Sequence, residues 1–579
     1  MFALLSLLSP VAAAPIPVEV VRTDAGYALQ RGGQPFTLRG VGGTHGLDQL
    51  VAIGGTSLRT WGVGEETAAL LDEAHSLGLT VSLGIWLGHE RHGFDYSDAA
   101  QVAAQHEVVR QAVMAHKDHP ALLMWGLGNE MEGFDSGDDP AIWTAVCEAA
   151  ALIQELDPHH PVMSTTADIG GGRVAALGGC AHIDIHGINS YGGAPSAPQR
   201  YHEAGGTKPI VFTEYGPFGV WEIGKTDFGA PPEQTSTDKA AAYVKVARAG
   251  VADPLVIGGY AFLWAWKTEA TATWFGLFLP DGTRLAGVDA LAEVWGSPVP
   301  DPVPVVTPLV SDQGDHVEPG AMVRVSWTVS DPGGQDLQTE WVLRREIAEP
   351  ITGGDPQGLP ASIPEAVVNG EVGEVKLKMP KWPGVYRLYA TVRDDAGGGA
   401  TASLPMLVGT PDPADQALPM PWYVYQDAGV GSPWVPTGHM GSLESFTWAL
   451  DHQAGCASPP SCIRIESSGE GWSGVAWQTP AHNWGDHPGG ADLSNARFLV
   501  FRVRGEFGWG TIRVGSGIVD EDKPHPDSLK VEKTVALTTE WQEVRVRLKG
   551  DRSHLVTGFW WVLPQQRPVT VYLDDIRFE

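Results

Sequence analysis

The chain has 579 residues, more than one hydrophobic core ordinarily supports, so two to four domains are expected. A formal charge of −31 excludes the basic footprint needed to bind nucleic acid or an anionic membrane surface. Hydrophobic residues make up 43%, enough for a sizeable core, yet no segment has the ~18 uninterrupted apolar residues of a membrane span.

Met1–Ala14 has the pattern of a secretory signal, with the apolar run Phe2-Ala-Leu-Leu-Ser-Leu-Leu8 followed by small residues at Val11-Ala-Ala-Ala14. A secreted protein, extracellular or periplasmic, is therefore expected. Four cysteines, an even number, fit the same compartment. Cys456 and Cys462 flank a short loop containing Pro459-Pro460 and are one expected disulfide; Cys147 and Cys180 are the other candidates.

Residues 15–297 alternate between strand and helix patterns. Strands are predicted over Phe36–Val41, Ser57–Trp61, Val81–Trp86, Leu122–Leu127, Pro161–Thr165, Ile183–Asn189, Ile210–Thr213 and Ile257–Trp264. Helical periodicity is clearest at Glu65–Leu77, Asp98–His116, Pro140–Leu156 and Thr237–Ala249. Eight strands with intervening helices over about 260 residues match a (β/α)8 TIM barrel in number and size. A doubly wound sheet is the alternative, but no glycine-rich nucleotide fingerprint follows the first strand. His89-Glu-Arg-His92 lacks the spacing of a helical zinc motif and reads as a polar βα loop.

Two of these strands end in a carboxylate. The run Trp125-Gly-Leu-Gly-Asn-Glu130 closes one apolar stretch with a polar pair, and Pro209-Ile-Val-Phe-Thr-Glu-Tyr-Gly216 repeats the design at Glu214. Strands of a barrel present their ends to one face, so both glutamates fall at the same rim. One acid to protonate a leaving oxygen and one carboxylate to attack the sugar is what glycosidic bond cleavage requires.

Ser297-Pro-Val-Pro-Asp-Pro-Val-Pro304 is a proline-rich linker, extended and semi-rigid. It predicts a barrel that folds without the remainder of the chain. Residues 298–410 then show period-two strands, such as Val323–Val329, Thr339–Leu343, Glu374–Met379 and Gly384–Val392, which suggest an Ig-like sandwich. Pro411-Asp-Pro-Ala-Asp415 marks a second linker, and residues 411–579 are again all β, as in a jelly roll with a carbohydrate-binding look. Trp422, Trp434, Trp472, Trp477, Trp509, Trp541, Trp560 and Trp561 either fill its core or line a glycan-binding face. Asp427 and Asp574, on its first and last strands, are candidate oxygen ligands for a structural Ca2+.

His119-Pro-Ala-Leu-Leu-Met-Trp-Gly-Leu-Gly-Asn-Glu130, with Phe212-Thr-Glu-Tyr-Gly216, resembles the retaining β-glycosidases of glycoside hydrolase clan A. The likeness is closest to the barrel of family 2. Asp184-Ile-His-Gly-Ile-Asn-Ser-Tyr191 is also similar to the β-1,3-glucanosyltransferases of family 72. Sandwich domains precede the barrel in family 2 and not in this sequence, so that family's exo-acting substrates are not carried over. The resemblance implies Glu130 as acid/base, Glu214 as nucleophile, Asn129 as partner of the sugar 2-OH, Arg59 beside the nucleophile, and Tyr191 as its hydrogen-bond donor. Trp264 shares its strand parity with Tyr260, Phe262 and Trp266, one of which faces inward at the strand's end, and is taken as the sugar platform; His45, Trp61, Trp86 and Asp168 follow other strands as further substrate contacts. The implied activity is hydrolysis of a β-linked oligo- or polysaccharide without any catalytic cofactor. Transglycosylation and non-catalytic glycan binding are the alternatives.

Overall fold

The computed structural model describes residues 15–579 apart from 134–136, 300, 348–351, 354–356, 361, 382, 410–417, 419, 427–431, 433, 443–444, 487–488 and 565–566. The signal-like segment Met1–Ala14, the linker from Pro411 to Asp415 and the candidate ligand Asp427 lie outside the described residues.

The chain opens with a small antiparallel sheet, β1 (Val18–Thr23), β2 (Gly26–Arg31) and β3 (Gln34–Phe36). Val18 and Leu29 from it pack against Leu38, Met124, Met163, Val211 and Tyr260, which plugs one end of the barrel. Sequence periodicity does not reveal this plug, because its strands are short and mostly half-exposed.

The barrel follows, with strands β4 (Leu38–Gly42), β5 (Ser57–Arg59), β6 (Thr80–Ile85), β7 (Leu122–Asn129), β8 (Val162–Ala167), β9 (Ile185–Asn189), β10 (Ile210–Tyr215) and β11 (Val256–Ala261). They close in sequence order into one parallel barrel. Strands buried on both faces need continuous apolar runs, and β7 is buried from Leu122 to Gly128. The helices are α1 (Leu47–Ala52), α2 (Thr67–Ser76), α3 (Ala99–His116), α4 (Pro140–Leu156), α5 (Arg173–Gly179), α6 (Ala197–Glu203), α7 (Ser236–Ala252) and α8 (Ala286–Trp295). Capping side chains start the longest three. Asp98 accepts from Ala100 and Gln101, Asp139 from Ala141 ahead of Pro140, and Thr235 from Asp238. Cys147 on α4 is bonded to Cys180 at the end of α5, and Cys456 to Cys462.

The next domain packs a four-stranded sheet, Val310–Ser311, Met322–Ser326, Glu374–Lys378 and Val367–Gly370, against a second, His316–Val317, Gly399–Val408, Gly384–Arg393 and Gln338–Arg345. It sits on the barrel through a buried polar network rather than hanging from the linker. Arg387, fully buried, donates to both Glu346 oxygens (2.7 and 2.9 Å), to Ser403 (2.9 Å) and to the barrel carbonyl of Pro231 (2.7 Å). Ser403 in turn donates to Glu233 of the barrel (3.0 Å), which is paired with Lys239 (2.5 Å). The backbone is stitched too, with Arg284 N–H donating to Gly397 O and Gly399 N–H to Arg284 O. The independence predicted from the proline-rich linker does not follow from such an interface, since removing one partner strands buried charge on the other.

The last domain is a two-sheet β-sandwich. One sheet runs Phe446–His452, Cys462–Ser467, Val569–Phe578, Phe498–Gly505 and Gln542–Arg547, with Trp422–Tyr425 also paired to Val569–Phe578; the other runs Val435–Gly441, Ser473–Gln478, Thr557–Leu563, Thr511–Ser516 and Val531–Ala536. Trp434, Trp477, Trp560 and Trp561 are buried and Trp422, Trp509 and Trp541 half-buried, so these indoles mostly pack the fold, while Trp472 is 51% exposed. Asp574 is buried, and its carboxylate accepts from the backbone N–H groups of Ser458 and Asp575 (2.8 Å each). Among the described residues no three Asp, Glu, His or Cys side chains come together as a metal site.

Candidate active site

Strand ends build the site. At the end of β7 the backbone turns left-handed at Gly128 (φ 68°) and again at Glu130 (φ 51°). A side chain at Gly128 would collide with Met131, which accounts for glycine there. Glu130 pays a backbone cost of about 1 kcal/mol or more for its conformation, and such strain gathers where a side chain must be aimed. Glu214, near the end of β10, is buried at the same rim. Both line a cavity of about 650 Å3.

Three donors converge on Glu214. Arg59 Nη1 (3.0 Å) and Trp61 Nε1 (2.8 Å) reach Oε1, and the Tyr191 hydroxyl reaches Oε2 (2.8 Å). Arg59 is buried, also donates to Thr213 O (3.0 Å), and uses Nη2 on Asn129 Oδ1 (2.7 Å). Burial and then the charge of Glu214 push the Tyr191 phenol well above its ordinary value, so it stays a donor. A carboxylate so surrounded is held in one orientation.

Glu130 has the opposite environment. Its hydrogen-bond partner is the neutral amide of Asn189, Nδ2 to Oε1 at 2.6 Å. Loss of solvation, then the negative charge of Glu214, push its pKa up to about 7, against the Asn189 hydrogen bond and Arg59, which pull it down. The two carboxyls thus sit in different surroundings, Glu130 beside a neutral amide and Glu214 beside a guanidinium.

Asn129 has its carbonyl oxygen occupied by Arg59 (2.7 Å) and Asn189 (3.1 Å). Its amide N–H2 is thereby the end left to face a ligand. Asn189 is anchored by Thr213, whose hydroxyl donates to its Oδ1 (2.7 Å). Sequence reading passed over Asn189, although it lies two residues before Tyr191 and shares its parity.

The remaining candidates divide. Trp61 donates to Glu214 itself, a closer contact than the general substrate contact expected of it. Trp86 lines the cavity, 42% exposed and stacked on His89 (4.9 Å, 8°). Asp168 lines it as well, with its carboxylate gripped by Arg200 (2.8 and 3.1 Å) and Ser190 (3.1 Å). Trp264 is not a platform: it is fully buried, edge-on to Phe278 (4.8 Å). The alternation that grouped it with Tyr260, Phe262 and Trp266 stops where β11 ends at Ala261; of that group Phe262 lines the cavity, together with Leu263. His45 packs against Phe278 (4.8 Å), away from the cavity lining. Trp221, 56% exposed, faces the cavity from the loop after β10, where no pattern marks it in the sequence. Lys267 and Glu269, from the loop after β11, also line it.

The model of the glycosyl hydrolases family 2 TIM barrel domain matches residues 67–224, a span that includes Asn129, Glu130, Tyr191 and Glu214 but not Arg59 or Trp61. No curated protein matches the chain. Among solved structures it is similar to the β-D-glucuronidase of Dictyoglomus thermophilum (16% identity, TM-score 0.39), over 49% of this chain and 54% of that one. It is similar to β-glucuronidase 2 of Bacteroides uniformis (13%, 0.39), over 96% and 67%. It is also similar to the endo-β-1,4-mannanase of Thermotoga petrophila (14%, 0.32), over 65% and 98%. The chain thus spans about half the length (54%) of the Dictyoglomus enzyme.

Proposed function

We propose that this chain is a secreted, retaining β-glycoside hydrolase of the clan A type. The observation that supports this best is the contrast between Glu130, whose pKa is raised to about 7, and Glu214, held by Arg59, Trp61 and Tyr191. Glu130 protonates the glycosidic oxygen as Glu214 attacks the anomeric carbon, giving a glycosyl-enzyme; Glu130 then takes a proton from the water that releases the sugar. Asn129 N–H2 donates to the sugar 2-OH, a contact that tightens at the transition state. No cofactor enters this scheme. A screen of β-linked glycans with product analysis tests it, and no cleavage of any β-glycan would count against it.

Transglycosylation, in the manner of family 72, is the second reading. The exposed indoles of Trp86 and Trp221 at the cavity favour it, since an aromatic face would hold a sugar acceptor in place of water. Two disulfides fit the oxidising compartment that the signal-like start implies. The last sandwich, with Trp472 exposed, would act as a glycan-binding tether that raises local substrate concentration.

A further inference from the structure

Among the cavity's carboxylates that have no part in the scheme above, one is paired with a lysine at its wall. Glu269 is 5% exposed and pairs with Lys267 through Oε2 to Nζ at 2.5 Å; both side chains line the cavity with Glu214. The ammonium also lies over the Phe262 ring (5.7 Å). An ion pair on a loop is ordinarily solvated and worth little. This one is carried inward by a loop that other parts of the molecule hold rigidly.

Ala270, directly after Glu269, has φ 62°, a conformation a non-glycine residue keeps only when its surroundings impose it. The surroundings come from two domains. On the barrel side, Glu233 accepts from the Thr271 and Thr273 hydroxyls (2.8 Å each), and Lys239 donates to Thr273 O (2.7 Å). On the Ig-like side, Gln357 Oε1 accepts from Ala270 N–H (3.2 Å), and the Tyr389 hydroxyl contacts Ala272 N–H (3.4 Å). Ser403 joins Glu233 to the Arg387–Glu346 pair.

We propose that Lys267 and Glu269 form a grip for two neighbouring hydroxyl groups of a neutral sugar, held in register by the Ig-like domain; this rests on the glycosidase reading. The chemistry matches a diol, because one hydroxyl accepts from the ammonium while the next donates to the carboxylate. A sugar bearing its own carboxylate fits poorly. It would enter a cavity already lined by Glu130, Asp168, Glu214, Glu222 and Glu269. Of the cations lining it, Lys267 and Arg173 are each within 3.0 Å of a carboxylate oxygen and Arg91 donates Nη2 to the Gly353 carbonyl (2.7 Å), while Arg59 behind them is paired with Glu214.

The test is calorimetric titration of the full chain with methyl 1-thio-β-glycosides, which resist hydrolysis: glucoside, galactoside, mannoside, xyloside and glucuronide. At least one neutral glycoside should bind ten or more times tighter than the glucuronide. Glu269→Gln should weaken that binding at least tenfold, and the loss should vanish for one of its monodeoxy analogues, whose missing hydroxyl no longer needs the grip. Should Glu269→Gln fail to fold, Lys267→Gln, at a more exposed side chain, reads the same quantity. Equal or tighter binding of the glucuronide, or a variant within twofold of wild type for every glycoside, would overturn the inference. Tight, Glu269-dependent binding without turnover of any β-glycan would uphold it and overturn the hydrolase reading alone.

Discussion

Arg59 and Glu214 meet as a buried pair, Nη1 to Oε1 at 3.0 Å, and the second guanidinium nitrogen of Arg59 holds Asn129 at 2.7 Å. One side chain therefore positions both the Glu214 carboxylate and the Asn129 amide. Lysine cannot span both, because it presents a point charge rather than a fork. Arg59→Lys should lower kcat/KM by about 10–100-fold, the equivalent of one charged hydrogen bond of about 1.5–3 kcal/mol. Steady-state kinetics of the purified variant checks this, and an unchanged kcat/KM would remove Arg59 from the site.

The pH dependence follows from Glu130. A carboxyl with its pKa raised to about 7 is protonated below that pH and ionised above it, so the acid needed to start the reaction is lost as pH rises. The profile of kcat/KM should fall on its alkaline side near pH 7. Glu130→Gln should abolish that limb on substrates with good leaving groups. A limb unmoved by the substitution would assign it to another group.

Trp86 and Trp221 should matter in proportion to substrate length. Replacing either by alanine removes an exposed aromatic face at the cavity. The KM for an oligosaccharide should rise about tenfold, as expected for loss of ~1 kcal/mol or more of stacking, while aryl monoglycosides change little. Equal effects on both substrate types would place the indoles in the cleavage subsite itself.

Truncation probes the interface between the first two domains. A chain ending at Pro298 loses Arg387, Glu346 and Ser403 and leaves Glu233 and Lys239 uncovered. It should melt well below a chain ending at Gly409 and lose activity with it. Indistinguishable melting temperatures for the two would restore the independent barrel expected from the linker.

Most of this architecture could be read without coordinates, for identifiable reasons. Parallel barrel strands are continuous apolar runs, so all eight stood out, and a carboxylate at the end of such a run, as at Glu130 and Glu214, is conspicuous. Parity failed at Trp264 because it holds only while the strand lasts, and β11 stops at Ala261. Trp221, Lys267 and Glu269 sit on loops, whose course is set by partners far away in sequence, such as Gln357 and Tyr389. No local pattern encodes that. Asn189 was within reach, ending β9 two residues before Tyr191, but its importance lies in the 2.6 Å contact with Glu130, which only the closed barrel creates.

The division of labour between the two glutamates is the central claim. Glu214→Ala should abolish turnover on every substrate, since no group remains to form the glycosyl-enzyme. Glu130→Ala should cripple polysaccharide cleavage yet spare glycosylation by aryl glycosides, and added azide should rescue it to a β-glycosyl azide. The most direct measurement is NMR of the first-formed product from the wild type. Retention requires carboxyl groups only about 5–5.5 Å apart, and inversion needs room for a water between them. A β-configured sugar released from a β-linked substrate is the predicted result; an α-configured one would mean inversion and would contradict the roles given to Glu130 and Glu214.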